Sequence, residues 1–132
     1  MNLHLRPPLT ESALPLPHAY FTSKYQRVDE VKYYSSFINL DEPIVVCGDF
    51  NENVKAPSAA YWVERMKMKS VLEQFDPSTS TWWWQLPLGI KVYAHFDHLF
   101  YRNLQCIAGK TNQEGESDHY PIFGDFIHFR AK

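Results

Sequence analysis

The feature that most constrains the fold is the apolar run "PIVVCGDF" at residues 43–50. Its β-branched residues and its flanking turn residues favour a buried strand. The run stops abruptly at Asp49, and Asn51 follows two positions later. Residues i and i+2 of a strand point to the same side, about 6.5 Å apart, so these two groups can bracket one small ligand. Gly-Asp-x-Asn is also common turn chemistry, and these residues alone leave both interpretations open.

Helical patterns lie on both sides of this strand. From about residue 19 to residue 40, apolar residues that include Tyr25 and Val31 recur every three or four positions, which predicts an amphipathic helix. Ser58 is a plausible N-cap for a second helix that continues through about Lys67. The segment "VLEQF" predicts a further short helical turn.

Strand patterns occupy the start of the chain and its second half. The additional strands are expected in "NLHL", "STWWWQL", "IKVYAHFDHLFY", "LQCIAG" and "IFGDFIHF". The order β-α-β-α-β-β-β-β predicts an α/β (α+β) fold with one mixed sheet and about two helices on one face. We find no linker and no internal repeat, so residues 1–132 are expected to form a single domain.

Composition and charge exclude several classes of protein. The 132 residues carry a formal net charge of −2, which argues against nucleic-acid binding through a broad basic surface. No stretch approaches the roughly 20 apolar residues of a membrane span, and the N-terminus does not resemble a signal peptide. Cys47 and Cys106 lie in apolar segments and are expected to be reduced, buried thiols. These features favour a cytoplasmic location.

Two further polar clusters interrupt the apolar strands. Asp97 lies within "HFDHLFY", and Asp118 and His119 lie in "GESDHYPIF". A solvated strand edge and a surface loop are the simpler explanations. Taken together with Asp49 and Asn51, however, the residues fit one site. A carboxylate can fix the tautomer of an imidazole, a second carboxylate can take a proton from water, and an amide can hold an oxyanion. Those groups suit attack of water on a phosphate ester, a reaction that a hard divalent cation usually assists.

These motifs resemble the endonuclease/exonuclease/phosphatase superfamily, which includes deoxyribonuclease I. The resemblance rests on "GDFN" (48–51), "FDHLFY" (96–101) and "SDHYPI" (117–122), in the order of the family, together with "NLHL" near the start. It implies the C-terminal half of a deoxyribonuclease I-like four-layer α/β sandwich. The implied activity is a metal-dependent phosphoesterase that hydrolyses a phosphodiester or a phosphomonoester.

The resemblance also implies roles for individual residues. Asp49 would orient or deprotonate the attacking water, and Asn51 would hold the phosphate. Asp97 would hydrogen-bond His119, which would stabilise or protonate the phosphoryl oxygens. His4 matches a histidine that acts as an acid near the leaving group in some branches of the family.

The metal and phosphate contacts are less completely specified. Asp118, together with Asp49, is the expected ligand of Mg²⁺ or Mn²⁺. Arg6 is near enough to His4 in the sequence to meet a phosphate oxygen, and a surface arginine is the simpler interpretation.

The sequence departs from the family pattern at one important point. The first half of the family domain supplies an Asn and a metal-binding Glu, and nothing before His4 provides them. Glu11, Glu114 and Glu116 are in predicted loops, and no motif assigns them this role. The face of the sheet that would meet the other half needs cover, so a homodimer or a partner chain is expected.

Two functions therefore stay open. The first is the phosphoesterase, whose substrate would be a nucleic acid, a phospholipid headgroup or a small phosphate ester. The alternative is a catalytically inactive half-domain that acts in binding or assembly. Trp82, Trp83 and Trp84 would be packing residues, a base-stacking platform or a lipid-interface wedge.

Overall fold

The computed structural model describes residues 1–7 and 17–128, and side chains for residues 1–7 and 23–128. The strands are β1 (Asn2–His4), β2 (Ile44–Asp49), β3 (Lys69–Ser70), β4 (Trp82–Gln85), β5 (Lys91–Ala94), β6 (Asp97–Arg102), β7 (Gln105–Thr111) and β8 (Ile122–Ile127). The helices are α1 (Pro17–Ser35), α2 (Pro57–Glu64) and α3 (Val71–Phe75), with a 3₁₀ turn at Pro87–Gly89. Within the described ranges, no helix is both long enough and apolar enough to cross a membrane.

Helix α1 ends at Ser35, earlier than the predicted end near residue 40. The residues that follow make local turn bonds instead of helical ones. The Ser36 hydroxyl donates to the carbonyl of Tyr33 at 2.6 Å, and the Asn39 side chain accepts from the backbone N–H two residues later at 3.1 Å. Short polar side chains of this kind offer the backbone an alternative to the helix, which explains the early end.

The buried face of α1 also differs from the predicted one. Tyr25 was expected on the apolar face but is 71% exposed, whereas Arg27 and Val31 are buried. The buried stripe instead follows residues four apart and continues to Ser35. The apolar pattern predicted the wrong buried face of α1 because the charged residue Arg27 lies at the centre of the face that is buried.

Helix α2 begins two residues earlier than predicted and ends at Glu64 instead of Lys67. Ala56 is its N-cap, Pro57 is the first helical residue, and Ser58 is therefore inside the helix. Proline is favoured at this position because the missing N–H would have no helical partner. The Ser58 amide is bonded by a side chain from outside the helix, which is described with the site below.

The central sheet has four strands in the order β1-β2-β6-β3. Strand β1 pairs parallel to β2, and β6 pairs antiparallel to both β2 and β3, so the sheet is mixed as expected. The segment expected to be a single long strand divides into β5 and β6. Strands β4–β5 and β7–β8 form two separate antiparallel pairs, so one mixed sheet and two ladders replace the single sheet.

Alternate residues of the sheet enter two hydrophobic clusters. Val46 and Phe100 pack with residues of α1 and α2 on one face. Leu99 and Tyr101 pack on the other face with α3 and the β7–β8 pair. This alternation is the period-two pattern of a strand. The expectation of two helices on one face is therefore met, and α3 with β7–β8 supplies cover on the opposite face.

Gly48 permits the close approach of β1 to β2. Its φ is +135°, and a Cβ at this position would lie 1.8 Å from the carbonyl oxygen of Leu3. Only glycine adopts such a conformation at low cost. The contact fixes the position of His4 beside Asp49, the residues that follow Leu3 and Gly48.

Candidate active site

Strand pairing brings three of the expected site residues into one row. In the β1–β2 register His4 is opposite Asp49, and in the β2–β6 register Asp49 is opposite Asp97. The Nε2 atom of His4 lies 3.6 Å from Oδ2 of Asp49. The three residues lie in different parts of the sequence and meet because they occupy matched positions on adjacent strands.

His119 joins this row from the loop before β8. Its Nδ1–H donates to the carboxylate of Asp97, with Nδ1 2.9 Å from Oδ2 and 3.1 Å from Oδ1. Its Nε2 lies 4.0 Å from Oδ2 of Asp49. That separation is too long for a hydrogen bond, so both atoms keep capacity for a molecule placed between them. Binding Nδ1 to a carboxylate fixes the tautomer in which Nε2 can accept a proton.

The environment of Asp97 affects its protonation. Burial raises the pKa of the Asp97 carboxyl above its usual value, and the negative charge of Asp49 acts in the same direction. The hydrogen bond and charge of His119 and a hydrogen bond from Thr81 oppose this rise in the pKa. The site therefore holds two carboxylates close together and balances them with an imidazole.

Asn51 combines the two interpretations that the sequence left open. Its backbone has a left-handed φ of 53°, and its N–H donates to Oδ1 of Asp49 at 2.7 Å, which is turn chemistry. Its side-chain amide donates to Oδ2 of Asp49 at 3.0 Å and to the carbonyl of Leu5 at 2.9 Å. Asn51 thus fixes the Asp49 carboxylate in this structure.

A buried ion pair supports the loop after Asn51. The Nε–H of Arg27 donates to Oε2 of Glu52 at 2.8 Å, and each side chain is 1% exposed. The other carboxylate oxygen of Glu52 accepts the backbone N–H groups of Ser58 and Ala59, at 2.5 Å and 3.3 Å, at the start of α2. Glu52 therefore links α1, the site loop and the N-terminus of α2. Neither residue of this pair was predicted from the sequence. The position of Glu52 directly after Asn51 was the one local feature that could have indicated its role.

Thr81 is a second residue that sequence reasoning missed. It is fully buried, and its hydroxyl oxygen accepts the backbone N–H groups of Phe96 and Asp97, both at 3.0 Å. Its carbonyl accepts the N–H of Tyr120 at 2.8 Å. No pattern in "STSTWWW" distinguishes Thr81 from the neighbouring hydroxyl residues.

The remaining expected residues have different placements. The guanidinium of Arg6 donates to Gln26 on α1 at 3.3 Å. The carbonyl of Asp118 accepts the N–H of Trp83 at 2.9 Å. Glu114 and Glu116 are exposed, and Glu11 lies outside the described residues.

The donor set for a metal ion is incomplete. Among residues 1–7 and 17–128, no three His, Cys, Asp or Glu side chains are arranged to hold one ion. A hard divalent cation takes about six oxygen ligands. The described residues therefore do not by themselves fit Mg²⁺ or Mn²⁺.

An open cleft of about 630 Å³ adjoins the site and is lined in part by Asp97, His119 and Cys47. Cys47 is half-buried, Cys106 is buried, and both are free thiols.

The three tryptophans lie next to the site on β4. Trp82 bridges to His119 and stacks parallel to Trp84, with ring centroids 6.4 Å apart. The indole N–H of Trp83 donates to the carbonyl of Ser117 at 2.9 Å. Trp84 is 51% exposed. Trp82 and Trp83 thus make packing contacts that hold the His119 loop, while Trp84 presents half of its surface to solvent.

Comparison with known proteins identifies the class. The sequence model of the Endonuclease/Exonuclease/phosphatase family matches residues 3–119. The chain belongs to this family, and the resemblance found in the motifs is confirmed. None of the curated proteins matches the chain.

Solved structures confirm the fold class. An AP endonuclease from Archaeoglobus fulgidus superposes with a TM-score of 0.64 at 14% identity, covering 95% of this chain and 60% of that one. A family member from Bacteroides thetaiotaomicron gives 0.54 at 17% identity, with 85% and 44% covered. A mannosyl-6-phosphatase from the same species gives 0.51 at 18% identity, with 85% and 47% covered. The chain thus spans about half the length of these structures.

Proposed function

We propose that this chain carries part of a phosphoesterase site that hydrolyses a phosphodiester or a phosphomonoester with water. The observation that carries the proposal is the row of Asp49, Asp97 and His119, with Nε2 of His119 4.0 Å from Asp49. Family membership supports the reaction class. A phosphate or water oxygen placed between Nε2 and Asp49 would contact a base and an imidazole together.

The proposed reaction uses these groups in sequence. A water molecule attacks phosphorus as its proton passes to the Asp49 carboxylate, forming the new P–O bond. Protonated His119, held by Asp97, donates from Nε2 to a phosphoryl oxygen and stabilises the negative charge of the transition state. The P–O bond to the leaving group breaks, and that group takes up a proton, for which His4 is the proposed donor. Asn51 would exchange a present hydrogen bond for one to the phosphate.

The proposal also includes a divalent cation and a contact between Arg6 and the substrate phosphate. Mg²⁺ or Mn²⁺ would be bound by Asp49 and Asp118, with further oxygen ligands from outside the described residues. Arg6 would need to leave Gln26 to reach the phosphate. No step of the proposed reaction passes through the cation.

A catalytically inactive half-domain is the second candidate. The observation that favours it is that the donor set for a metal is incomplete among the described residues. In this case the site would be retained for binding or assembly.

We also propose that a second copy or another chain covers the outer side of the β7–β8 pair. Ile107, Phe123 and Ile127 are between 45% and 51% exposed there. Exposed apolar patches usually mark interfaces in soluble proteins. Sedimentation of the wild type and of Phe123→Lys tests this, because a self-association through this surface should weaken in the variant.

The test of catalysis compares two histidine variants. We expect His119→Ala to lose hydrolysis of bis(p-nitrophenyl) phosphate in the presence of Mg²⁺. The matched control is His128→Ala. His128 is exposed and follows the last residue of β8, whereas His119 lies before the first residue of that strand. Loss in the first variant with wild-type rates in the second supports the phosphoesterase. Equal, background rates in all three proteins would support the inactive half-domain.

A further inference from the structure

We propose that Thr81 is a positioning residue that sets the geometry between Asp97 and His119. The proposal rests on the proposed function for its catalytic consequence, and on the hydrogen bonds of Thr81 for its structural part. The residue lies at the start of the β4 segment and belongs to none of the family motifs found in the sequence.

The hydroxyl of Thr81 fixes the backbone that carries Asp97. Its oxygen accepts the N–H of Phe96 and the N–H of Asp97, both at 3.0 Å. These two residues lie at the junction where β5 ends and β6 begins. Burial of a backbone N–H without a hydrogen-bond partner costs about 1–3 kcal/mol. The Thr81 hydroxyl oxygen avoids this cost by accepting from both amides.

The backbone of Thr81 fixes the loop that carries His119. Its carbonyl accepts the N–H of Tyr120 at 2.8 Å, and the next residue, Trp82, bridges to His119 itself. Its own N–H donates to the carbonyl of Ala94 at 3.0 Å. Thr81 therefore bonds both the segment that carries Asp97 and the segment that carries His119. These two residues are 22 positions apart in the chain.

Through these bonds Thr81 holds the start of β6, which carries Asp97, next to the loop that carries His119. If the hydroxyl is removed, the β5–β6 junction is free to shift relative to the loop. A shift of about 1 Å at a catalytic group can reduce a rate by as much as 10²-fold. The Thr81 hydroxyl also hydrogen-bonds the Asp97 carboxylate, so its effect on His119 passes through both the position and the hydrogen bonding of Asp97.

The experiment uses Thr81→Val, which keeps the shape and removes the hydroxyl, and Thr81→Ser, which keeps the hydroxyl. Thr79→Val is the matched control, because the Thr79 hydroxyl bonds Asp76 outside the site. The ring nitrogens of His119 are observed in a long-range ¹H–¹⁵N spectrum, which reports the tautomer without any need for activity. Rates on bis(p-nitrophenyl) phosphate are measured beside it.

We expect a single Nδ1–H tautomer of His119 in the wild type, in Thr81→Ser and in Thr79→Val. In Thr81→Val we expect mixed tautomers and a kcat reduced by about 10- to 100-fold, with KM unchanged. A wild-type tautomer in Thr81→Val would overturn the inference. Loss of the tautomer with no hydrolysis by any protein would support the inference and contradict the proposed function.

Two measurements keep the inference testable if Thr81→Val does not fold. Thr81→Ala leaves space for a water molecule to bond the two amides, and its His119 spectrum is then compared with that of Thr81→Ser. Hydrogen exchange of the Phe96 and Asp97 amides is measured in the wild type. Exchange as fast as that of exposed loop amides would overturn the inference.

Discussion

The Nδ1–H of His119 bonds the carboxylate of Asp97 at 2.9 Å while its Nε2 faces Asp49 at 4.0 Å. One imidazole thus connects two carboxylates that are opposite each other in the β2–β6 register. The two ring nitrogens have different surroundings, and only Nε2 has capacity for a further partner. This division of roles underlies the first prediction.

Replacing Asp97 with Asn should reduce hydrolysis by about 10²-fold or more, because an amide does not hold the Nδ1–H tautomer as a carboxylate does. The isosteric change should leave the thermal midpoint close to that of the wild type. Steady-state kinetics on bis(p-nitrophenyl) phosphate measures the first effect, and calorimetry measures the second. Asp29→Asn, on the exposed surface of α1, is the control. Hydrolysis by Asp97→Asn at the wild-type rate would contradict the role of Asp97.

Replacing Glu52 with Gln should lower the free energy of unfolding by about 3 kcal/mol, since it leaves Arg27 as an uncompensated buried charge. The exposed Lys32–Asp29 pair is the control, and Asp29→Asn should cost less than about 1 kcal/mol. Urea denaturation measures both values. A double-mutant cycle with Arg27→Met should show coupling between the two buried residues. Equal small losses at both sites would show that the buried pair does not hold the loop.

Replacing Gly48 with Ala should lower the free energy of unfolding by more than about 3 kcal/mol, because the new Cβ would meet the carbonyl of Leu3. Gly89 is the matched control. Its φ is also positive, at +78°, but no atom lies within 4 Å of the position that a Cβ would take there. Gly89→Ala should therefore cost only about 1 kcal/mol, from backbone strain. Similar losses in the two variants would contradict the close approach of β1.

Acidification should destabilise the protein through His98. Burial lowers the pKa of His98 to about 4 from 6.5, and its Nε2–H donates to the carbonyl of Glu52 at 2.8 Å. Between these two pKa values His98 binds a proton in the unfolded chain but not in the folded one. Its contribution to the free energy of unfolding is therefore complete above pH 6.5 and is lost as the pH decreases towards 4. The loss should reach about 3 kcal/mol, at about 1.4 kcal/mol per pH unit.

The contribution of His98 is isolated by comparison with His98→Gln, which keeps a side-chain N–H for Glu52. Chemical denaturation at pH 7 and at pH 4 gives the difference in unfolding free energy for each protein. We expect a smaller difference in the variant than in the wild type. The same difference in both proteins would show that other groups account for the acid sensitivity.

The sequence predicted the elements that have a local pattern and missed the contacts that do not. Strand β2, the second helix and the three polar motifs were found because each has a short apolar or turn signature. The Arg27–Glu52 pair joins residues 25 apart, and neither residue type predicts burial. That pair explains why the face of α1 was misplaced at Tyr25. Likewise, the break between β5 and β6 depends on Thr81, which is distant in the sequence.

If Asp97 acts through His119, replacing both residues should cost no more activity than replacing His119 alone. We would measure kcat/KM for Asp97→Asn, His119→Ala and the two combined, on bis(p-nitrophenyl) phosphate with Mg²⁺. Groups that act as a unit give non-additive losses. We expect the double variant to be no slower than His119→Ala alone. Losses that multiply in the double variant, or rates equal to that of the wild type throughout, would contradict the action of Asp97 through His119.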